Sequence, residues 1–277
     1  MLSSQVCTQL VPELITIKQL LGSGFYSEVY EGVYKNKSVA IKIMNSSQTP
    51  EMMERELYFN QLSHPNIAKI YGWYQKDDKF YIVMELCSGG AISEILDFIT
   101  DEIRVRILYQ SALGLYFMHQ NQMVHRDLKI QNVLLKKKIN RDISQVQTKI
   151  SDFGLARKLT LDLEKTELDR TTSRYTTVGT PLLMAPEILI NDSVYNEQVD
   201  IFMFGLMILE LFRQCTDPDI IRDQYFGIKS DEISKMNLPI QLKAIVIKCC
   251  ETDPQARLRS EHLVKALKSL DNYYNAN

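Results

Sequence analysis

Four short segments of this 277-residue chain carry residue types that suit chemistry on phosphate groups. The first, GSGFYSEVY at residues 22–30, has glycines at 22 and 24, but Ser27 stands where a glycine-rich phosphate loop usually has its third glycine. A short glycine-rich turn has many uses, so this segment alone is a weak signal. It is followed by VAIK at 39–42, HRDLKIQN at 125–132 and DFG at 152–154. The order and spacing of the four segments together are a far more specific signal than any one segment.

Taken together, these segments resemble the catalytic domain of eukaryotic-type protein kinases, from about Leu14 to Leu270. The chain is similar to the serine/threonine type and to the tyrosine-kinase-like group within it. The resemblance implies ATP and Mg²⁺ as cofactors, and transfer of the γ-phosphoryl group to serine or threonine hydroxyls of protein substrates. Such a transfer needs cations and accurate positioning more than covalent catalysis, because negative charge spreads over the phosphate oxygens.

The resemblance assigns a role to each polar residue of these segments. Lys42 is expected to contact the α- and β-phosphates. Asp127 is expected to orient the substrate hydroxyl, and Lys129 to steady the transferred phosphate. Asn132 and Asp152 are expected to bind Mg²⁺ through oxygen atoms.

Lys42 also needs an acidic partner from a helix expected at about residues 50–62, and two glutamates are available there. Glu56 is preferred because it keeps Met53, Leu57 and Phe59 on the expected sides of the helix, and Glu54 is the alternative. Thr180, which precedes Pro181, is typical of the serine/threonine type, as is Lys129.

The same resemblance places ATP between two halves of the chain. Glycine-rich loop residues are expected over the phosphates, apolar side chains around the adenine, and backbone groups of residues 85–87 at its edge. The residues expected to contact the nucleotide, besides Lys42 and Asp152, are Leu21, Gly22, Ser23, Gly24, Val29, Ala40, Met84, Glu85, Cys87 and Leu134. Met84 is expected to narrow the rear of the pocket, and Ser27 to have an ordinary β conformation.

Periodicity predicts the elements that must position these residues. Strand-like segments at 14–20, 38–44 and 79–86 precede the glycines of CSGG at 87–90, and helical patterns follow from Ile103, at 197–213, 238–250 and 260–270. We therefore expect an α+β, bilobal protein kinase-like fold with a small β-rich N-lobe containing one helix and a larger, mainly helical C-lobe. The predicted kinase domain covers 14–277, divided into 14–86 and 87–277, with 1–13 as an N-terminal flank.

Three residues are expected from the resemblance to support the C-lobe. Glu187 of the segment GTPLLMAPE should form a buried ion pair with Arg257. Asp200 should anchor the backbone of the catalytic loop, which is the segment HRDLKIQN at residues 125–132. Small-molecule kinases have no equivalent of the GTPLLMAPE segment, so these features favour a protein substrate over a metabolite.

A hydroxyl-rich stretch, DRTTSRYTTVGT at residues 169–180, lies between DFG and Glu187. Phosphorylation within residues 171–177 is expected to order this loop by pairing with Arg126 and a second basic residue. The link between Asn132 and Asp152 is longer than usual for the family, so a protruding hairpin is expected at about 136–148. Its three lysines, residues 136–138, are interpreted as a solvated hairpin tip.

Composition excludes several classes of protein. The net charge of −2 gives no basic field for nucleic acid, and five irregularly spaced cysteines indicate neither a disulfide framework nor a zinc site. The most apolar stretch, residues 201–212, is too short to span a bilayer, so no membrane insertion and a cytoplasmic location are expected. A pseudokinase scaffold, a dual-specificity kinase and a small-molecule phosphotransferase are the alternatives. The sequence does not indicate an oligomeric state.

Overall fold

The structure, a computed structural model, describes residues 8–24, 27–44, 57, 63–139, 142–159, 183–190, 196–213 and 227–276. Its first half contains a five-stranded antiparallel sheet in the order β1-β2-β3-β5-β4. The strands are β1 (Ile15–Ser23), β2 (Ser27–Tyr34), β3 (Lys37–Met44), β4 (Ile70–Lys76) and β5 (Lys79–Glu85).

The two faces of this sheet have different partners because side chains alternate along each strand. Ile41 and Val83 lie on one face, where they pack with Leu10, Tyr74 and other residues in a small buried cluster. Ala40, Lys42 and Met84 lie on the other face, since Ala40 is directly opposite Met84 in the β3–β5 register. Lys42 therefore lies on the face of the sheet opposite to the buried cluster that contains Leu10.

Residues 8–10, which the sequence analysis assigned to the N-terminal flank, pair with the outer edge of β4. The Leu10 N–H donates to the Trp73 carbonyl at 2.7 Å, and the Trp73 N–H donates to the Thr8 carbonyl at 3.1 Å. Gly72 makes this approach possible, because a Cβ atom there would lie 2.3 Å from the Thr8 carbonyl oxygen. Backbone bonds and the buried Leu10 side chain thus attach this segment to the sheet.

The second half is built on helices around one large apolar core. The helices within the described residues are α1 (Asp101–Gln120), α2 (Pro186–Ile190), α3 (Gln198–Leu211), α4 (Ser230–Lys235), α5 (Ile240–Cys249) and α6 (Ser260–Ala276). Helix α3 is apolar on all sides and almost entirely buried, as expected for a central helix. Among the described residues, no helix is both long and apolar enough to cross a lipid bilayer.

Short strands and turns carry the polar segments between these helices. The strands are β6 (Gly90–Ala91), β7 (Met123–Val124), β8 (Val133–Leu135), β9 (Thr148–Ile150) and β10 (Arg157–Lys158). Single 3₁₀ turns occupy Pro12–Leu14, Ile92–Glu94, Leu96–Phe98, Ile130–Asn132, Ile143–Gln145 and Pro254–Ala256. Strands β7 to β9 hold the residues on either side of Asp127 and the residues that precede Asp152.

The expected α+β fold, with a β-rich first half and a helical second half, is confirmed. The helix expected at about 50–62 lies outside the described residues except for Leu57, which is helical. The boundaries of the two lobes stay a prediction. The hairpin after β8 differs from the expectation in one respect: its returning limb does not protrude, because Val146 is buried in the helical core and Gln110 of α1 donates to the Val146 carbonyl.

Candidate active site

The backbone that carries Asp127 is fixed by a buried carboxylate of α3. Asp200 is fully buried and accepts hydrogen bonds from the N–H groups of His125 and Arg126, both at 2.8 Å. His119 Nε2 lies 3.0 Å from the same carboxylate. Burial alone would raise the pKa of Asp200, but the hydrogen bonds from His119 and the Arg126 backbone lower it, so the carboxylate is ionised. The predicted anchoring of the catalytic loop by Asp200 is confirmed.

The Asp127 carboxylate is held from two sides. Lys129 Nζ lies 2.9 Å from Oδ1, and Asn132 Nδ2 donates to Oδ2 at 2.8 Å. Asn132 Nδ2 also donates to the Asp127 backbone carbonyl at 2.8 Å. The Asp127 and Lys129 side chains are each 29% exposed, so the carboxylate is oriented by its neighbours but still reachable from the cleft.

Lys42 and Asp152 join the two halves of the chain at the same place. Lys42 Nζ lies 3.0 Å from Asp152 Oδ1, and the lysine side chain is buried whereas the aspartate side chain is 48% exposed. The ammonium of Lys42 lowers the pKa of Asp152 to about 2, against the opposing effect of burial. Asp152 is therefore an anion at neutral pH, with one side toward Lys42 and the other toward solvent.

Two residues of the site have a left-handed backbone that non-glycine residues seldom adopt. The φ angle is 69° at Arg126 and 63° at Asp152. Each such conformation costs about 1–2 kcal/mol, and conformations of this kind concentrate at functional sites. The hydrogen bonds to Asp200 hold Arg126 in this conformation, which directs the following Asp127 side chain toward Asn132.

The donor set suits Mg²⁺ bound together with a phosphate ligand. Asp152 offers an ionised carboxylate, and Asn132 offers its amide oxygen because its Nδ2 atom is used by Asp127. Magnesium is commonly held by one or two protein oxygens plus phosphate and water. Within the described ranges there is no cluster of three or more His, Cys, Asp or Glu residues that could hold a metal without such a ligand.

The side chains expected to contact adenine lie on five strands, β1, β2, β3, β5 and β8. Val29 lies opposite Lys42 in the β2–β3 register, so it shares a face with Ala40 and Met84. Leu21 lies near the end of β1 and is 47% exposed, and Leu134 is half-buried on β8. The structure thus brings Val29, Ala40, Lys42 and Met84 to one face of the sheet, while the contacts with a nucleotide stay a prediction.

The glycine-rich loop closes with a backbone hydrogen bond from Gly24 to the Ser27 carbonyl at 2.8 Å. Ser27 begins β2 and has no positive φ angle, so its predicted β conformation is confirmed. Among the described residues, a Cβ atom at Gly24 would have one near neighbour, the Ser27 carbonyl oxygen at 3.7 Å, and one at Gly22 would have none within 4 Å. A Cβ atom at position 24 would therefore not clash with any described residue.

This geometry gives a prediction for the loop. Gly24→Val is expected to weaken ATP binding by more than about tenfold, because a branched side chain keeps the backbone away from phosphate oxygens. Ser27→Gly should change ATP binding by no more than about threefold, since Ser27 has an unstrained conformation. Titration with ATP measures both, and thermal unfolding is expected to stay nearly unchanged. The reverse ranking would show that the loop does not cover the phosphates.

The segment that begins α2 is locked to the second half by a bidentate ion pair. Arg257 Nη1 and Nη2 donate to the two Glu187 carboxylate oxygens at 2.7 and 2.8 Å. The remaining donor capacity of Arg257 goes to the carbonyls of Glu251, Gln198 and Thr252. The predicted Glu187–Arg257 pair is confirmed.

A second charged cluster, which was not predicted from the sequence, lies behind the segment that connects the two halves. The Glu85 carboxylate contacts Lys136 Nζ at 2.6 Å and Lys149 Nζ at 2.9 Å. Burial alone would raise the pKa of Glu85, but these two lysines lower it. The interpretation of Lys136 as part of a solvated tip was wrong, although Lys137 and Lys138 are exposed. Nothing in the sequence distinguishes the first lysine of this run from the other two.

Glu210 of α3 lies beneath the catalytic loop. Its carboxylate accepts a hydrogen bond from the Ile130 N–H and faces the charges of Lys129 and Asp127. Its Oε2 atom has no hydrogen-bond partner among the described residues. Burial raises the pKa of Glu210 to about 7.

The pKa of Glu210 predicts a pH-dependent stability. An unfolded glutamate ionises near 4.5, so ionisation of Glu210 opposes folding increasingly as the pH rises from about 4.5 to about 7. Glu210→Gln should therefore raise the unfolding temperature relative to wild type at pH 8 more than at pH 5. Calorimetry at both pH values measures this difference, with exposed Glu13→Gln as the control. A difference that does not depend on pH would contradict the prediction.

Several predicted residues lie outside the described residues. They are Glu54, Glu56, Thr180 and the hydroxyl-bearing residues of 171–177. The pairing of Lys42 with Glu56 or Glu54 stays a prediction.

Comparison with known proteins agrees with this geometry. A family model described as the protein kinase domain matches residues 15–267. The chain is 30% identical to the dual specificity testis-specific protein kinase 2 of Mus musculus over 263 residues, which is 91% of this chain and 44% of that protein. It is 30% identical to the serine/threonine-protein kinase KIC1 of Saccharomyces cerevisiae over 272 residues, 92% of this chain and 24% of that protein. The chain thus spans less than half the length of these relatives.

Proposed function

Because this chain belongs to the protein kinase domain family, we propose that it transfers the γ-phosphoryl group of ATP to serine and threonine hydroxyls of protein substrates. The observation that carries this proposal is the fixed Asp127 carboxylate, held between Lys129 and Asn132 in the half that also contains Asp152. A pseudokinase would have no need to orient this carboxylate toward the cleft.

Each residue of the site has a role in phosphoryl transfer that suits its position. Lys42 neutralises phosphate oxygens, and its contact with Asp152 shows that the two side chains reach the same point. Asp152 and Asn132 would hold Mg²⁺, which would neutralise charge on the phosphates. Asp127 accepts a hydrogen bond from the substrate hydroxyl and orients it for attack. Lys129, at 2.9 Å from Asp127, is placed to stabilise the charge of the transferred group.

Dual specificity is the second candidate function. It is favoured by a relative whose name describes a dual specificity kinase, at 30% identity over 91% of this chain. Lys129 favours serine and threonine over tyrosine by resemblance. The two candidates differ in the acceptor alone, so one assay separates them.

The proposed function is tested with radiolabelled ATP and three peptide libraries that differ only in the acceptor, which is serine, threonine or tyrosine. Incorporation into the serine and threonine libraries is expected. Incorporation into all three would establish dual specificity. Absence of label from every library and from generic protein acceptors, with ATP still bound, would favour the pseudokinase.

We also propose that phosphorylation within residues 171–177 regulates this activity. Arg126 and Arg157 are the basic residues that we assign to this phosphate. Arg157 pairs with Val124 in the β7–β10 register, and Val124 is two residues before Arg126 in the chain. A phosphate near both would gain charge-assisted hydrogen bonds. Mass spectrometry of active protein is expected to find phosphate in this window. Fully active protein without phosphate there would contradict the proposal.

A further inference from the structure

The side chain of Lys136 has two contacts that connect it to the segment between the two halves, in addition to the hydrogen bond from the Ser88 N–H to the Lys136 carbonyl at 3.2 Å. Besides its ion pair with Glu85, its Nζ atom donates a hydrogen bond to the Leu86 carbonyl at 3.3 Å. Its side chain is 28% exposed, and it is less accessible than the two lysines that follow it, which are exposed. The backbone of Lys136 is fixed as well, since its N–H donates to the Gln147 carbonyl at 2.9 Å.

The bond to Leu86 fixes the direction of the next N–H group. The Leu86 carbonyl and the Cys87 N–H belong to the same peptide unit, and in a trans peptide these two groups point in opposite directions. All peptide bonds in the described residues are trans. The Cys87 N–H therefore points away from Lys136.

The side to which the Cys87 N–H points is the nucleotide side. Lys136 approaches from the side of the Glu85 carboxylate, and Glu85 lies opposite Val39 in the register, on the sheet face away from Ala40 and Met84. The Cys87 N–H consequently faces the cleft that Ala40 and Met84 line. No acceptor for it is found in the part of the chain that the structure describes.

A cation on the carbonyl also strengthens the donor at the other end of the peptide unit. Hydrogen bonds in a chain polarise one another, most strongly where the local dielectric is low. Lys149 adds a second ammonium on the other Glu85 oxygen at 2.9 Å and donates to the Ile67 carbonyl at 3.4 Å. The strand end at Glu85 is thereby held while Lys136 orients the peptide that follows.

We propose that Lys136 is a positioning residue of the nucleotide site, which acts by presenting the Cys87 N–H to a ring-nitrogen acceptor of adenine. This inference rests on the proposed function in one respect, the binding of ATP between the two halves. It assigns a role to the first residue of the 136–148 hairpin, and it predicts an effect on nucleotide affinity and not on the chemical step.

The experiment measures ATP binding, KM for ATP and kcat for Lys136→Met, with Lys137→Met and Lys138→Met as neighbouring controls of the same charge change. We expect Lys136→Met to raise the dissociation constant and KM for ATP about tenfold, equal to the loss of one well-placed hydrogen bond at 1.4 kcal/mol per factor of ten. The value of kcat at saturating ATP should stay within about twofold of wild type. Lys136→Arg, which keeps the charge and the donors, should restore most of the affinity, and both controls should resemble wild type.

A modified nucleotide tests whether Lys136 acts through a hydrogen bond from the Cys87 N–H to adenine. An ATP analogue in which N1 of adenine is replaced by CH has lost its acceptor, so wild type and Lys136→Met should bind it within about twofold of each other. An equal ATP affinity for Lys136→Met and wild type would overturn the inference, as would a tenfold loss that persists with the analogue. If Lys136→Met does not fold, Lys136→Gln replaces it.

The binding measurements also separate this inference from the proposed function. Wild-type protein that binds ATP but phosphorylates no acceptor would refute the proposed function and leave the role of Lys136 to be judged by affinity. Wild-type protein with full activity and an unaffected Lys136→Met variant would refute the inference alone.

Discussion

Replacing Asp127 by asparagine is expected to lower kcat by about 10²- to 10⁴-fold, which is the usual contribution of a positioned general base. Asparagine has the same size, but it is neutral and a much poorer acceptor for the hydroxyl proton. The KM for ATP should change little, because Asp127 contacts Lys129 and Asn132 and not the strands of the nucleotide surface. Initial rates over a range of ATP concentrations, with a saturating peptide acceptor, separate the two parameters.

Stability must be measured on the same variant. Asp127→Asn weakens an ion pair whose two side chains are each 29% exposed, so the free energy of unfolding should fall by no more than about 1 kcal/mol. Asp231→Asn, at a surface carboxylate that is 70% exposed, is the control and should keep full activity. Equal phosphoryl transfer by Asp127→Asn and wild type would refute the catalytic assignment of Asp127.

Replacing Arg257 by methionine is expected to lower the free energy of unfolding by about 3–5 kcal/mol, the usual cost of removing one partner of a buried ion pair. The Arg257 guanidinium is fully buried and the Glu187 side chain is 15% exposed, so the variant leaves a carboxylate with little access to water. Three backbone carbonyls also lose a donor. The guanidinium lies over the Phe202 ring at 4.9 Å, so methionine keeps part of the packing but not the charge.

Denaturant unfolding of three variants tests this expectation. Lys265→Met breaks a surface ion pair with Glu261 in which the lysine is 68% exposed, so its effect on the free energy of unfolding should be far smaller than that of Arg257→Met. The double variant Glu187→Gln, Arg257→Met should recover part of the loss, because no unpaired carboxylate remains. An effect of Arg257→Met as small as that of Lys265→Met would show that the pair does not lock α2 to the core.

The catalytic residues could be found from the sequence because each belongs to a short segment with fixed internal spacing. Asp127, Lys129 and Asn132 lie within six residues, and a single turn of backbone brings them together. The strands around Lys42 and the buried helix around Asp200 could likewise be predicted, since alternation and apolar runs are local properties. The β conformation of Ser27 could also be predicted, because a serine at that position indicates an unstrained backbone.

Other features depend on contacts between residues that are distant in the chain. The Glu85 cluster joins residues separated by more than fifty positions, and whether Lys136 reaches Glu85 depends on how β8 and β5 are placed relative to one another. The attachment of residues 8–10 to β4 depends on space at Gly72, which is provided by the absence of a side chain and not by a recognisable motif. Charge and hydropathy along the chain are the same whether or not these contacts form.

The sequence by itself thus determined the fold class and the catalytic segments. It also predicted the Glu187–Arg257 pair and the anchoring by Asp200, because the types and spacing of its residues carry the resemblance to protein kinases that implies them. Only the tertiary structure decided that Lys136 is bound and its two neighbours are solvated, that Lys42 contacts Asp152, and that one oxygen of Glu210 has no partner among the described residues. The physical reason is that burial and pairing of a charge depend on the groups brought near it by folding, and identical lysines in one run acquire different surroundings.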